Sequence, residues 1–161
     1  MSPIAWAQRP IRKYADFSGR APRAEYWWYT LAIVVLAFIL TNLELLIGLD
    51  GTVGPYGPLS LLLGLALFIP GLAVTVRRLH DTNRSGWWIL IAVIPYVMVG
   101  YIVGSAQARG ETASLGTLGL AGIVALIGGL TLLVFMLLPG TKGDNRFGPS
   151  PYAGQQAAVA A

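Results

Sequence analysis

Residues 26–48 have the sequence YWWYTLAIVVLAFILTNLELLIG, in which Glu44 is the only charged side chain. Three further apolar stretches follow, at residues 59–76, 87–104 and 115–138. As an α-helix, each stretch spans about 27–36 Å, which matches a hydrocarbon core of about 30 Å. Lipid offers no partners to backbone N–H and C=O groups, and the stretches show no strand-like alternation. The sequence therefore predicts an all-α membrane protein, a bundle of four transmembrane helices.

The composition agrees with this fold class. Hydrophobic residues make up 55% of the 161 residues and charged residues 11%, against about 25% charged residues in ordinary globular proteins. This small number of charged residues cannot cover a water-facing surface. Much of the surface must therefore face lipid. The chain has no cysteine and a single histidine, His80, which excludes disulfides and sites with several histidine ligands. We predict neither a metal nor a cofactor.

The predicted organisation has three parts. Residues 1–25 form a basic N-terminal segment, residues 26–148 the transmembrane domain, and residues 149–161 a tail that we expect to be disordered. Residues 1–20 contain four cationic side chains and no apolar run, so they are not a cleavable signal peptide. The first hydrophobic helix is expected to act as an uncleaved insertion signal.

The positions of lysine and arginine predict the orientation in the membrane. Ten of the 11 flank the helices on one side, and only Arg109 lies on the other. The ten are Arg9, Arg12, Lys13, Arg20, Arg23, Arg77, Arg78, Arg84, Lys142 and Arg146. Because cytoplasmic loops carry the excess of lysine and arginine, both termini are predicted to be cytoplasmic.

Three segments carry a family resemblance: FSGRAPRAEYW at 17–27, RRLHDTNRSGWW at 77–88 and PGTKGDNRFGP at 139–149. Over roughly residues 14–151 the chain resembles the bacterial inner-membrane family called domain of unknown function 805. The resemblance implies a multi-pass protein of the bacterial inner (plasma) membrane and no particular activity. Many relatives have a shorter stretch between the second and third segments, so the number of helices is predicted from this sequence alone.

The three segments fall on the same predicted side of the membrane, where their polar residues form a candidate site. Its members are Arg20, Arg23, Arg77, Arg78, His80, Asp81, Arg84, Asn145 and Arg146. Helical spacing predicts the pairs Arg77–Asp81, His80–Arg84 and Asp81–Arg84. Between segments, we expect Asp81 or Asp144 to contact Arg20 or Arg23.

Two interpretations of these segments stay open. Arginine forks bind phosphate, so the site would hold anionic phospholipid headgroups or a protein partner. Alternatively, the segments only fix topology and cap helices, each solvated by itself.

Three features lie within the spans. Glu44 is an intramembrane polar candidate, or else an interfacial carboxylate that reaches water or headgroups. Pro70 and Pro95 either kink two helices or break them as in transporters. The small residues Ala121, Ala125 and Gly129 let helix 115–138 pack closely, within one chain or in a homo-oligomer.

A structural or accessory membrane protein is the favoured function, because charge is concentrated outside the spans. The first alternative is a small oligomeric transporter or channel, which would need Glu44 in a water-filled cavity. The second is an intramembrane enzyme, which would need His80, Asp81 and Ser85 within hydrogen-bond reach of one another. We assign no catalytic residue. Nucleic-acid binding is not predicted, since membrane insertion already accounts for the basic residues.

Overall fold

The computed structural model describes residues 1–52, 56–112 and 114–152. Its elements in chain order are α1 (Pro3–Arg12), α2 (Arg23–Ile47), α3 (Pro58–Asp81), a 3₁₀ turn (Gly86–Ile89), α4 (Leu90–Ala108) and α5 (Leu115–Leu137). Within these described residues, four helical segments are long and apolar enough to cross a membrane, with the 3₁₀ turn and α4 forming one of them. The predicted all-α class with four spanning helices is confirmed.

The ends of the helices follow from local chemistry. Pro58 starts α3, where a missing N–H costs nothing. Gly48 ends α2 with a φ of 71°, a left-handed conformation that glycine adopts without steric cost. The third helix continues past Val76 to Asp81. The RRLHD sequence is therefore the last turn of α3 and not a loop.

The N-terminal helix α1 is a feature that the sequence analysis missed. Its signals were Ser2, whose hydroxyl accepts a hydrogen bond from the Ala5 N–H at 3.2 Å, and Pro3 in the first turn. Arg9 of α1 lies 3.3 Å from the carboxylate of Glu25 in α2. Ile4 and Ile11 stay exposed, as expected of an amphipathic helix lying in a membrane interface.

The helix pair α4 and α5 packs through small residues. Ala125 and Gly128 are buried, and a Cβ added to Gly128 would collide with the backbone carbonyl of Ile91 in α4. A Cβ on Gly129 would lie 3.4 Å from the Tyr96 hydroxyl. Small residues of α5 therefore pack against α4 within the monomer.

The prolines inside the spanning helices α3 and α4 each free a carbonyl that lies against a neighbouring segment. Pro70 has no N–H to donate to the Ala66 carbonyl, and the Tyr14 hydroxyl donates to that oxygen at 2.7 Å. The Tyr29 hydroxyl donates to the next carbonyl, Leu67, at 3.2 Å. Pro95 likewise frees the Ile91 carbonyl, which lies against Gly128. Both helices continue through their prolines, and a tyrosine hydroxyl satisfies the carbonyl that Pro70 frees.

The predicted tail is only partly described. Ser150 is buried, and its N–H donates to the Asp144 carboxylate at 2.9 Å. Residues 153–161 lie outside the described residues.

Candidate functional site: a polar cap of buried ion pairs

The three polar segments meet at one end of the bundle, in a cluster that we call the polar cap. It consists of Arg20, Glu25, Arg77, Arg78, His80, Asp81, Thr141 and Asn145. Asp81 is fully buried at its centre. One Asp81 oxygen accepts from Arg20 Nε at 3.0 Å, and the other accepts from Arg78 Nη1. Of the contacts predicted between Asp81 or Asp144 and Arg20 or Arg23, the one between Asp81 and Arg20 is confirmed, and so is the meeting of the segments.

Arg20 and Arg78 also bind the segment that follows α5. Arg20 donates to the carbonyls of Gly143 and Thr141, each at 2.7 Å. Arg78 donates to the carbonyls of Met136 and Leu138 at the end of α5. The last carbonyls of a helix have no intrahelical partner and carry partial negative charge. Arg78 therefore caps α5, and together with Arg20 it neutralises Asp81.

Arg77 forms a second buried pair that the sequence analysis did not predict. Its Nη2 lies 2.8 Å from Glu25 Oε1, and its Nη1 donates to the Asp16 carbonyl. In the described part of the chain, Arg77 Nε is buried without a partner. The predicted pair of Arg77 with Asp81 is wrong, because this face of α3 packs against the first turn of α2. The signal for Glu25 was a charged residue at the start of an apolar helix.

The predicted pairs that involve Arg84 are also wrong. Asn83 has a positive φ of 59° and turns the chain after α3 ends, so the helical spacing does not extend to Arg84. The Arg84 guanidinium instead lies 4.2 Å from the ring centroid of Phe135 in α5.

His80 links all three segments. Its Nδ1 lies 3.2 Å from the Gly19 carbonyl, and its ring stacks on Phe147 with centroids 3.9 Å apart. The amide of Asn145 donates to the His80 carbonyl at 2.9 Å and to the Thr141 hydroxyl at 2.9 Å. This histidine packs within the cap, and the Asp81 oxygens accept from arginines. The Ser85 hydroxyl accepts from the Trp87 N–H.

The cap buries some of the predicted site residues and exposes others. Arg77 and Arg78 are at most 1% exposed and Arg20 is 8% exposed. Arg23 and Arg146 are exposed and Arg84 is half-buried. We call these last three the outer rim. Arg23 donates to the Leu138 carbonyl at 3.0 Å, and Arg146 donates to the Asn83 carbonyl at 3.2 Å.

Glu44 lies at the opposite end of α3. It is 1% exposed, and its carboxylate accepts from the N–H groups of Leu59 and Ser60 and, at 2.5 Å, from the Ser60 hydroxyl. A Cβ on Gly57 would collide with the carboxylate. Glu44 therefore caps the N-terminus of α3 from the neighbouring helix. Among the residues that the structure describes, no group of three His, Cys, Asp or Glu side chains could hold a metal.

Comparisons with known proteins agree with this architecture. Residues 14–149 match the family described as protein of unknown function DUF805. The chain is 37% identical to inner membrane protein YhaI of Escherichia coli strain K12 over 151 residues, 94% of this chain and 98% of that protein. It is 34% identical to inner membrane protein YhaH of the same strain over 146 residues, 91% and 95% of the two chains.

A more distant relative is the uncharacterized protein YiiR of the same strain, 28% identical over 83% of this chain and 84% of that protein. No solved structure matches. With four spanning helices, a cap built from its three motif segments and these relatives, the chain belongs to the DUF805 family of multi-pass inner-membrane proteins.

Proposed function

We propose that this protein is an accessory protein of the bacterial inner membrane whose outer rim binds anionic phospholipid headgroups at the cytoplasmic surface. The supporting observation is the division of the arginines into buried and exposed sets. Arg20, Arg77 and Arg78 are occupied by Asp81, Glu25 and backbone carbonyls. They hold the helices together and are not free to bind an external phosphate.

The outer rim has donors to spare. Each guanidinium carries five N–H donors, and the rim arginines Arg23 and Arg146 each use one of them on a backbone carbonyl. Arg84 uses one on the Thr82 carbonyl at 3.2 Å. These contacts hold the guanidinium groups in place, so less side-chain entropy is lost when a phosphate binds. Anionic headgroups give the cytoplasmic surface a negative potential that attracts arginines near it.

The transporter alternative loses its main support. It required Glu44 to face a water-filled cavity, whereas the Glu44 oxygens are occupied by the start of α3. An accessory role needs no ion path through the bundle.

The experiment measures thermal unfolding of the purified protein in neutral detergent. Phosphatidylglycerol is expected to raise the Tm of the wild type more than phosphatidylcholine does, because a ligand of the folded state stabilises it. The double variant Arg84→Gln/Arg146→Gln should lose most of that difference. Arg109→Gln is the matched control, since Arg109 is an exposed arginine at the opposite end, paired with Glu111. An unchanged phosphatidylglycerol effect in the double variant would refute the proposal.

A further inference from the structure

A large apolar groove separates the α2–α3 pair from the start of α4. It has a volume of about 940 Å³, at the upper end of the range of about 300–1,000 Å³ for ligand pockets. Its walls are mostly aliphatic and aromatic, and include Tyr29, Ile33, Phe68, Leu72, Leu90 and Val93. His80 and Ser85 line the end near the polar cap.

The groove exists because the α2–α3 pair and the α4–α5 pair are joined mainly at the polar cap. Arg78 ties α3 to the end of α5, and Arg23 ties α2 to the same carbonyl. Gly86 lies so close to Val76 that a Cβ there would be 2.8 Å from a Val76 methyl group. Away from these contacts, the side chains of the described residues leave the space between α2 and α4 unfilled. Unfilled apolar space forfeits dispersion contacts, so an apolar group is expected to fill it.

The dimensions of the groove fit one leaflet of the bilayer. Along α3 it extends from His80 to Leu67, about 20 Å at 1.5 Å per residue. One leaflet of a hydrocarbon core contributes about 15 Å. Trp87, 78% exposed, lies at the end near the cap, as side chains of an interfacial belt do. The deep end is apolar and lies within the membrane spans, where lipid tails are the available apolar molecules.

We infer that this groove holds one acyl chain of a glycerophospholipid, with the headgroup beside His80 and Ser85, and that the lipid fills the space between the two helix pairs. The inference goes beyond the proposed function, because it rests on the apolar wall and not on headgroup charge. A neutral and an anionic phospholipid are both expected to occupy the groove.

The test reduces the volume of the groove by enlarging one side chain on α3 and, separately, one on α2. Gly71 lines the groove, and a Cβ added there comes no closer than 3.8 Å to Tyr29, so Gly71→Leu has room for its Cβ and adds side-chain volume to the groove. Val34→Trp fills the deep end from α2, at a position already 58% exposed. The matched control is Gly64→Leu, the same change on the same helix at a glycine with no atom near its Cβ position. Only variants that are monodisperse and have the Tm of the wild type are compared. If Gly71→Leu misfolds, Val34→Trp still provides the test, because Val34 is exposed.

Each protein is reconstituted with phosphatidylcholine alone or with phosphatidylglycerol, purified again and examined by native mass spectrometry. The wild type and Gly64→Leu are expected to retain one phospholipid with either lipid. Displacing about two methylene groups should lower retention by Gly71→Leu and Val34→Trp about tenfold. The inference would be overturned if the groove variants retained as much phospholipid as the wild type. It would also be overturned if the folded wild type carried no lipid, or carried a second protein copy in place of a lipid. The phosphatidylglycerol preference of the double variant Arg84→Gln/Arg146→Gln tests only the proposed function and not this inference.

Discussion

Asp81 is the residue on which the cap depends most. A buried carboxylate is costly unless opposite charges and hydrogen-bond donors surround it. Here two arginines from different segments supply both, and the Thr141 N–H binds the Asp81 carbonyl at 2.8 Å. Gly140 is required beside it, because a Cβ there would collide with the Asp81 carboxylate. The ion pairs of Asp81 determine which segments contact one another as well as the stability of that contact.

Replacing Asp81 by Asn should therefore destabilise the protein severely. The change leaves two buried guanidinium groups without their carboxylate, which costs about 3–5 kcal/mol of unfolding free energy. SDS titration in mixed micelles measures this loss. The control Arg109→Gln breaks an exposed pair with Glu111 and should cost at most about 1 kcal/mol. Equal losses in the two variants would mean that the cap pairs contribute no more than a surface pair.

Asp16, in the loop between α1 and α2, gives a pH dependence. Hydrogen bonds from Ser18 and then Lys13 lower the pKa of its carboxyl from 3.8 to about 2. Because the folded-state pKa is depressed, this stabilisation is complete above about pH 4 and is lost as the pH falls toward 2. The Tm difference between wild type and Asp16→Ala should thus be constant above pH 4 and shrink below it. A Tm difference between wild type and Asp16→Ala that is as large at pH 2 as above pH 4 would contradict the lowered pKa of Asp16.

At the scale of the element, close helix packing depends on glycines and carbonyls. The Ile91 carbonyl lacks its usual partner because Pro95 has no N–H. It lies against the Cα of Gly128, a position where a weak Cα–H···O contact can form. The kink in α4 and the small residue in α5 are therefore parts of one arrangement.

Gly128→Ala should separate α4 from α5, because the added methyl group collides with the Ile91 carbonyl. The cost expected of such overpacking is about 1–3 kcal/mol, measured by the same SDS titration. Gly122→Ala, on the same helix with no atom near its Cβ position, should be neutral or slightly stabilising. A loss of stability in Gly122→Ala as large as in Gly128→Ala would place the important surface outside the monomer.

At the scale of the whole molecule, the cap constrains topology. Arg20 precedes the first span and Thr141 follows the last, yet their atoms are 2.7 Å apart. The two flanking segments must therefore lie on the same side of the membrane, which an even number of crossings allows. The excess of lysine and arginine on that side predicts that it is the cytoplasmic side.

Reporter fusions test this orientation. Alkaline phosphatase fused after Ala161 should be inactive and a fluorescent protein there should be bright. A phosphatase inserted after Gly110, between α4 and α5, should be active in the periplasm. Phosphatase activity at the C-terminus would contradict the predicted orientation of the bundle.

The sequence by itself determined the class of fold, the number of spans and the end of the bundle that is polar. Span length, hydropathy and flanking charge are local properties that add up along the chain, so no knowledge of packing is needed to count helices from them. Placing the three segments on one side predicted that Asp81 or Asp144 would contact Arg20 or Arg23, and it left open which of these pairs forms.

Only the tertiary structure decided which charges pair and which arginines remain exposed. Arg77 binds Glu25, which is 52 residues away in sequence, and not Asp81 at helical spacing. Likewise, Glu44 caps a neighbouring helix instead of facing water or lipid. The physical reason is that a buried charge takes the partner that its helix face meets, and that face is set by how the helices pack.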